Sequence, residues 1–228
     1  MRPDPAGAHF RCEDTLEREL RAQGFALVAG VDEAGRGALF GPVVAGAVVL
    51  STDRPIDGLN DSKQLTPAKR EELAALIHER AAAWSVAAVD AATIDQINIY
   101  QASRRAMKLA VAGLKPVPDY LLVDAANLDC PQPQMALIKG DARCHAIAAA
   151  SILAKVHRDS LMREWAEAYP EYGLAAHKGY GTAEHLRALD AYGITPLHRL
   201  SFEPVRARSR FPLGSGSQLD LFRPVGAL

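Results

Sequence analysis

Gly30-Val31-Asp32-Glu33-Ala34-Gly35-Arg36-Gly37 places two adjacent carboxylates and a glycine-flanked arginine between two apolar runs. The pattern predicts a strand over residues 27–32, a tight turn, and a second, valine-rich strand over residues 42–50. Short apolar runs punctuated by glycine and proline read as buried strands. Successive strand residues point to opposite faces, so Asp32 and Glu33 serve one site only if the strand ends there. Two acids at the mouth of an apolar strand are costly unless something positive meets them. A divalent metal held by oxygen ligands is the natural partner. For the dipeptide alone, a solvated strand end is the simpler account. The neighbours shift the balance, because Gly35 and Gly37 let a backbone approach a ligand closely and Arg36 suits phosphate.

Carboxylates recur at comparable places further on. A strand over residues 118–124 ends on Asp124, and a fifth strand over 135–138 runs into Lys139-Gly140-Asp141. Asp141 then begins a long helix predicted from 142 to about 165. Taken alone, Asp141 is explained by the favourable field of a helix N-terminus. Ligand groups of α/β sheets gather at strand ends, however, and four acids at one sheet edge point to a site. Between these segments the pattern predicts a helix from Thr66-Pro67 toward Ala83 and a strand over 84–89. Thr93-Ile94-Asp95-Gln96 reads as a capping box opening a helix that runs to about Gly113.

Asp32-Glu33-Ala34-Gly35-Arg36-Gly37 with Gly41-Pro42-Val43 resembles the signature of the ribonuclease HII family. Asp61-Ser62-Lys63, the helical run Ala150 to Asp159 and His177-Lys178-Gly179-Tyr180-Gly181-Thr182 extend the resemblance over residues 28–204. So many separated pieces make it specific. It implies an α/β fold, a ribonuclease H-like mixed five-stranded sheet flanked by helices, with a small C-terminal helical appendage. It assigns Asp32, Glu33, Asp124 and Asp141 as catalytic acids and metal ligands, holding two Mg²⁺ or Mn²⁺ ions about 3.5–4 Å apart.

The implied activity is endonucleolytic cleavage of RNA in RNA–DNA hybrids, and 5′ to single ribonucleotides in duplex DNA. The implied substrate contacts are Gly35, Arg36, Gly37, Ser62, Lys63 and Tyr180. On chemistry alone, Ser62 and Lys63 read equally well as a phosphate contact or a solvated loop. The chain departs from the family where a glycine usually follows the third acid and Ala125 stands instead. A catalytically silent nucleic-acid-binding module is the rival reading, and such a module is expected to have lost one of the acids.

Net charge is −1, so any nucleic-acid contact must come from local patches. Cys12, Cys130 and Cys144 lack metal-ligand spacing and fit reduced thiols in the cytoplasm. No secretory signal is read, and the longest apolar run is too short to span a bilayer. The expected organisation is an N-terminal tail and helix (1–24), a catalytic core (25–165), the appendage (166–205) and a flexible tail (206–228), in a monomer. The tail carries a Gly-Ser linker followed by Gln218-Leu219-Asp220-Leu221-Phe222. That peptide resembles the segment by which bacterial repair proteins bind a sliding clamp, with Gln218, Leu219, Leu221 and Phe222 as the contact residues.

Overall fold

The first strand is longer than its sequence pattern predicts. In the computed structural model, which describes residues 12–209, β1 runs Val28–Ala34 and carries both acids within its ladder. It is followed by β2 (Val43–Val49), β3 (Ala83–Val89), β4 (Tyr120–Asp124) and β5 (Gln134–Leu137). The sheet order is β3-β2-β1-β4-β5. The β1–β2 and β2–β3 pairs are antiparallel, whereas β1–β4 and β4–β5 are parallel. The fold is therefore the expected mixed five-stranded sheet flanked by helices.

Helices α1 (Thr15–Ala22), α2 (Pro67–Arg80), α3 (Ala91–Ile97), α4 (Ile99–Ala112) and α5 (His145–Ala168) surround the sheet. Short helices α6 (Leu174–His177), α7 (Ala183–Tyr192) and α8 (Glu203–Arg206) follow. On one face Ala29, Val31, Ala45 and Ala47 pack against Ala102, Ala106 and Met107 of α4. On the other, Val48 packs with Leu73 and Ile77 of α2 and Ala149 and Ile152 of α5. Two glycines bring α5 unusually near. A Cβ on Gly30 would lie 2.0 Å from the backbone of Ala146, and one on Gly46 2.4 Å from the Ala150 carbonyl oxygen. The alanine-rich start of α5 thus lies directly on β1 and β2.

Three predicted boundaries change for identifiable reasons. The single helix expected from Thr93 is two, because Asn98 adopts φ 66 and its side chain caps α4 by accepting from Gln101 N–H. The cap of α3 is Asp90, which accepts from the N–H of Thr93. Asp95, within α3, accepts from the backbone of Leu200 and Ser201. Asp141 lies in a 3₁₀ turn (Gly140–Ala142) ahead of α5, so the helix starts later than expected.

The expected N-terminal helix is held against the core. Buried Glu17 accepts from Ala146 N–H at 2.8 Å, and His145 N–H donates to the Glu13 carbonyl at 3.1 Å. This strap caps the start of α5 from outside the helix.

The helices after α5 gather around Phe40, Met162, Tyr172, Leu174, Leu189 and Val205. Behind that cluster, buried His185 and His198 share a contact of 3.1 Å between their Nε2 atoms, and His185 Nδ1 lies 3.0 Å from the Tyr180 carbonyl. Burial and the neighbouring ring push His198 down to about 3, and burial lowers His185 as well. No helix among the described residues is long and apolar enough to cross a membrane.

Candidate active site

Strand alternation puts Asp32, paired with Gly46, on the α5 face of β1 and Glu33 on the opposite face. The strand does not end between them, so the two acids straddle the sheet end. Asp124 closes the gap from the adjacent end of β4. Burial, then Glu33 and Asp124, push the Asp32 carboxyl well above its usual range, against a hydrogen bond from Ser151. Glu33 is also raised, by burial and then Asp124, with Arg36 working the other way. Asp124 is raised by burial and by Asp141, although the Gly140 N–H opposes this. Burial raises Asp141 too, with Lys63 opposing and Asp61 reinforcing. The four acids therefore form one repelling cluster.

Their positive neighbours come from loops. Arg36 Nη1 lies 3.3 Å from Glu33 Oε1, and Lys63 Nζ lies 3.4 Å from Asp141 Oδ2. Burial opposes the charge on Lys63, but Asp141, Asp61 and Asp32 together hold its pKa above the usual lysine value. Asp124 Oδ1 accepts from Gly140 N–H at 2.7 Å. With these contacts in place, no three His, Cys, Asp or Glu side chains among the described residues form a group that could hold a metal ion. The chemistry of the donor set nevertheless fits a hard divalent cation. It is all oxygen and largely buried, and its own repulsion is relieved by added positive charge.

The predicted substrate residues divide. The Gly35-Arg36-Gly37 turn and Tyr180 are brought together, because Ala38 and Tyr180 form an antiparallel bridge and Leu39 N–H donates to the Gly179 carbonyl. Tyr180 is partly exposed, and a Cβ on Gly37 would meet nothing, so that side of the turn is open. Lys63 faces outward with its side chain 79% exposed. Ser62 does not. Its hydroxyl is buried 3.0 Å from that of Ser151, forming a chain toward Asp32 rather than facing a phosphate. Gln218, Leu219, Leu221 and Phe222 lie outside the described residues.

Arg158 and Arg199, both fully buried, were not singled out as site residues by the sequence pattern. The signal was present. Arg158 lies four residues from Ala154 and from Met162, two fully buried positions, and so in phase with the inward stripe of α5. Lys155 and Asp159 form an i,i+4 ion pair at 2.6 Å.

Residues 29–205 match the family model described as ribonuclease HII. A ribonuclease HII of Solibacter usitatus is 71% identical over 227 residues, covering 100% of both chains. Ribonuclease H2 of Pyrococcus horikoshii superposes with a TM-score of 0.67 at 30% identity, over 80% of this chain and 96% of that one. Ribonuclease HII of Archaeoglobus fulgidus, solved in complex with PCNA, gives 0.67 at 26% identity, over 86% of this chain and 100% of that one.

Backbone strain collects around the same acids. Among the described residues four non-glycine residues have positive φ, and two of them adjoin the acids: Ala125 (45°) follows Asp124, and Lys139 (54°) lies two residues before Asp141. Such strain is typical of functional sites. Ala125 follows Asp124 and donates to the Leu137 carbonyl at 2.9 Å, so its odd conformation ends β4 while keeping the ladder. An alanine there costs about 1–2 kcal/mol over a glycine's freedom, partly offset by glycine's larger unfolded entropy. Ala125→Gly should therefore stabilise by about 0.5–1 kcal/mol and raise the unfolding midpoint by roughly 1–4 °C. A thermal melt checks this, and a lowered midpoint would mean that the alanine methyl packs productively.

Proposed function

The chain belongs to the ribonuclease HII family and is a nuclease acting on RNA–DNA hybrids, and from that premise we propose how its residues cut. The observation that carries the proposal is the placement of Asp32 and Glu33 near the end of β1, Asp124 at the end of the adjacent β4, and Asp141 in the 3₁₀ turn whose Gly140 N–H donates to Asp124. These four acids would hold Mg²⁺ or Mn²⁺. When bound, two such ions supply the charge that activates an attacking water and stabilises the leaving oxygen.

The chain's own groups do the rest. Asp32, Asp124 and Asp141 present carboxylates from the α5 side, and Glu33 from the other face. Lys63, outward and beside Asp141, is placed to meet a backbone phosphate. Arg36 is half-exposed and can do the same on the opposite side. The open side of the Gly35-Arg36-Gly37 turn lets backbone groups approach a sugar, and a 2′-hydroxyl there separates RNA from DNA. Tyr180, bridged to Ala38, forms the second wall of that sugar site. The preferred cut is 5′ to a ribonucleotide, leaving a 3′-hydroxyl and a 5′-phosphate.

Asp32→Asn and Asp141→Asn keep shape while removing one ligand charge. Single-turnover cleavage of a hybrid in Mg²⁺ should fall by about 10³-fold, the scale of losing a charge-stabilising group in a dry site, with hybrid binding largely retained. Near-normal rates in both variants would remove these acids from the site.

The tail adds a partner to the proposal. The Archaeoglobus fulgidus relative is solved as a PCNA complex, in agreement with a sliding clamp as the partner of Gln218-Leu219-Asp220-Leu221-Phe222. Tethering then raises the local concentration of substrate without any new contact to it. Replacing Leu221 and Phe222 by Ala should abolish clamp binding in a calorimetric titration and leave cleavage of short free oligonucleotides unchanged. Equal affinity of the two versions for the clamp would refute the docking role.

A further inference from the structure

Arg158 and Arg199 head the largest fully buried side chains among the described residues, each at 0% exposure. Their partners are backbone carbonyls, not carboxylates. Arg158 donates from Nε to Pro42 O at 3.1 Å, from Nη2 to Phe40 O at 3.0 Å and from Nη1 to Lys178 O at 2.9 Å. Arg199 donates from Nε to Gly41 O at 2.9 Å and from Nη1 to Arg36 O at 2.9 Å, and its Nη2 has no partner. The two guanidiniums thus take three consecutive carbonyls, those of residues 40, 41 and 42, by turns. Each then extends its other arm. One reaches the backbone two residues before Tyr180, the other the centre of the Gly35-Arg36-Gly37 turn.

The packing around Arg158 is equally tight. A Cβ on Gly35, whose φ is 91°, would sit 2.0 Å from Arg158 Nε, so the turn rests flush on the guanidinium. The Tyr180 ring centroid lies 5.5 Å from Arg158 Cζ. Burying two cations near each other with no carboxylate paired to either is expensive, Asp159 and Asp95 giving only through-space relief. Burial and repulsion from Arg158 bring Arg199 down to about 9. An apolar side chain of similar volume would fill the space without that cost. What it could not supply is a rigid planar fork of donors that holds carbonyls from separate segments at set angles.

We propose that Arg158 and Arg199 are positioning residues for ribose recognition, bracing the Gly35-Arg36-Gly37 turn and the Tyr180 loop at one fixed separation. The inference rests on the reading that this turn and Tyr180 face the sugar. Lysine at either position keeps the charge and most of the volume but loses the fork. A misplacement on the order of 1 Å in such a site costs up to about a hundredfold. The loss should fall on the substrate that depends on a single ribose and much less on a long hybrid, which offers a ribose at every step.

The test measures kcat and KM for a duplex with one ribonucleotide and for a long hybrid, in Arg158→Lys, Arg199→Lys, Tyr180→Ala and the Arg158→Lys/Tyr180→Ala double variant. Far-UV circular dichroism and melting confirm that each is folded, and Arg199→Lys carries the test if Arg158→Lys does not fold. The expected result is a drop of about tenfold or more in the single-ribonucleotide to long-hybrid ratio for each lysine variant. The double variant should lose no more of that ratio than Tyr180→Ala alone, because the two act through one contact. If Tyr180→Ala loses the ratio while both lysine variants keep it, the bracing role is overturned and the ribose reading stands. If Tyr180→Ala itself keeps the ratio, the ribose reading fails and the inference falls with it.

Discussion

Everything at the site depends on how closely α5 lies on β1 and β2. Gly30 and Gly46 leave no room for a side chain against Ala146 and Ala150, so helix and sheet meet backbone to backbone. That contact places the 3₁₀ turn holding Asp141 beside the strand end holding Asp32. The same helix, about two turns beyond the contact, delivers Arg158 to the carbonyls of Phe40, Pro42 and Lys178. One rigid element thus spans from the acid cluster to the recognition loops. Any side chain at residue 30 would force α5 outward and separate both ends from the sheet.

Electrostatics explains why this closeness persists despite its cost. All four acids are pushed upward by burial and by neighbouring carboxylates, Asp61 in the case of Asp141, and the protein answers with Lys63, Arg36 and the Gly140 N–H. Lys63 is largely exposed, so its attraction to Asp141 is screened and weak. It cannot offset the convergence of the acids. A divalent cation can, because its charge is larger and it acts inside the cluster. The buried arginines make a related bargain: charge is tolerated without a paired carboxylate where several backbone oxygens converge on it.

Much of this was legible in the chain. Valine-rich runs bounded by glycine marked the strands, and acids recurring at their ends marked Asp32, Glu33, Asp124 and Asp141. The departure at Ala125 was visible as a residue, but not its meaning, because only the backbone reveals that the position is left-handed. Asn98 broke a helix that looked continuous, since an asparagine tolerates positive φ and caps by itself. Ser62 was read outward and points inward, because its partner Ser151 is 89 residues away. The strap from Glu13 to Glu17 and the buried histidines likewise depend on distant partners that local pattern does not encode.

The claim on which the account turns is that these carboxylates converge to hold a divalent cation. Calorimetric titration of the full chain with Mn²⁺, at constant ionic strength, measures it without relying on cleavage, and Asp124→Asn provides the comparison. The account predicts saturable binding that raises the unfolding midpoint of the unaltered chain and is weakened at least about tenfold in the variant. Equal Mn²⁺ affinity in the two proteins, or no binding by the unaltered chain, would contradict it.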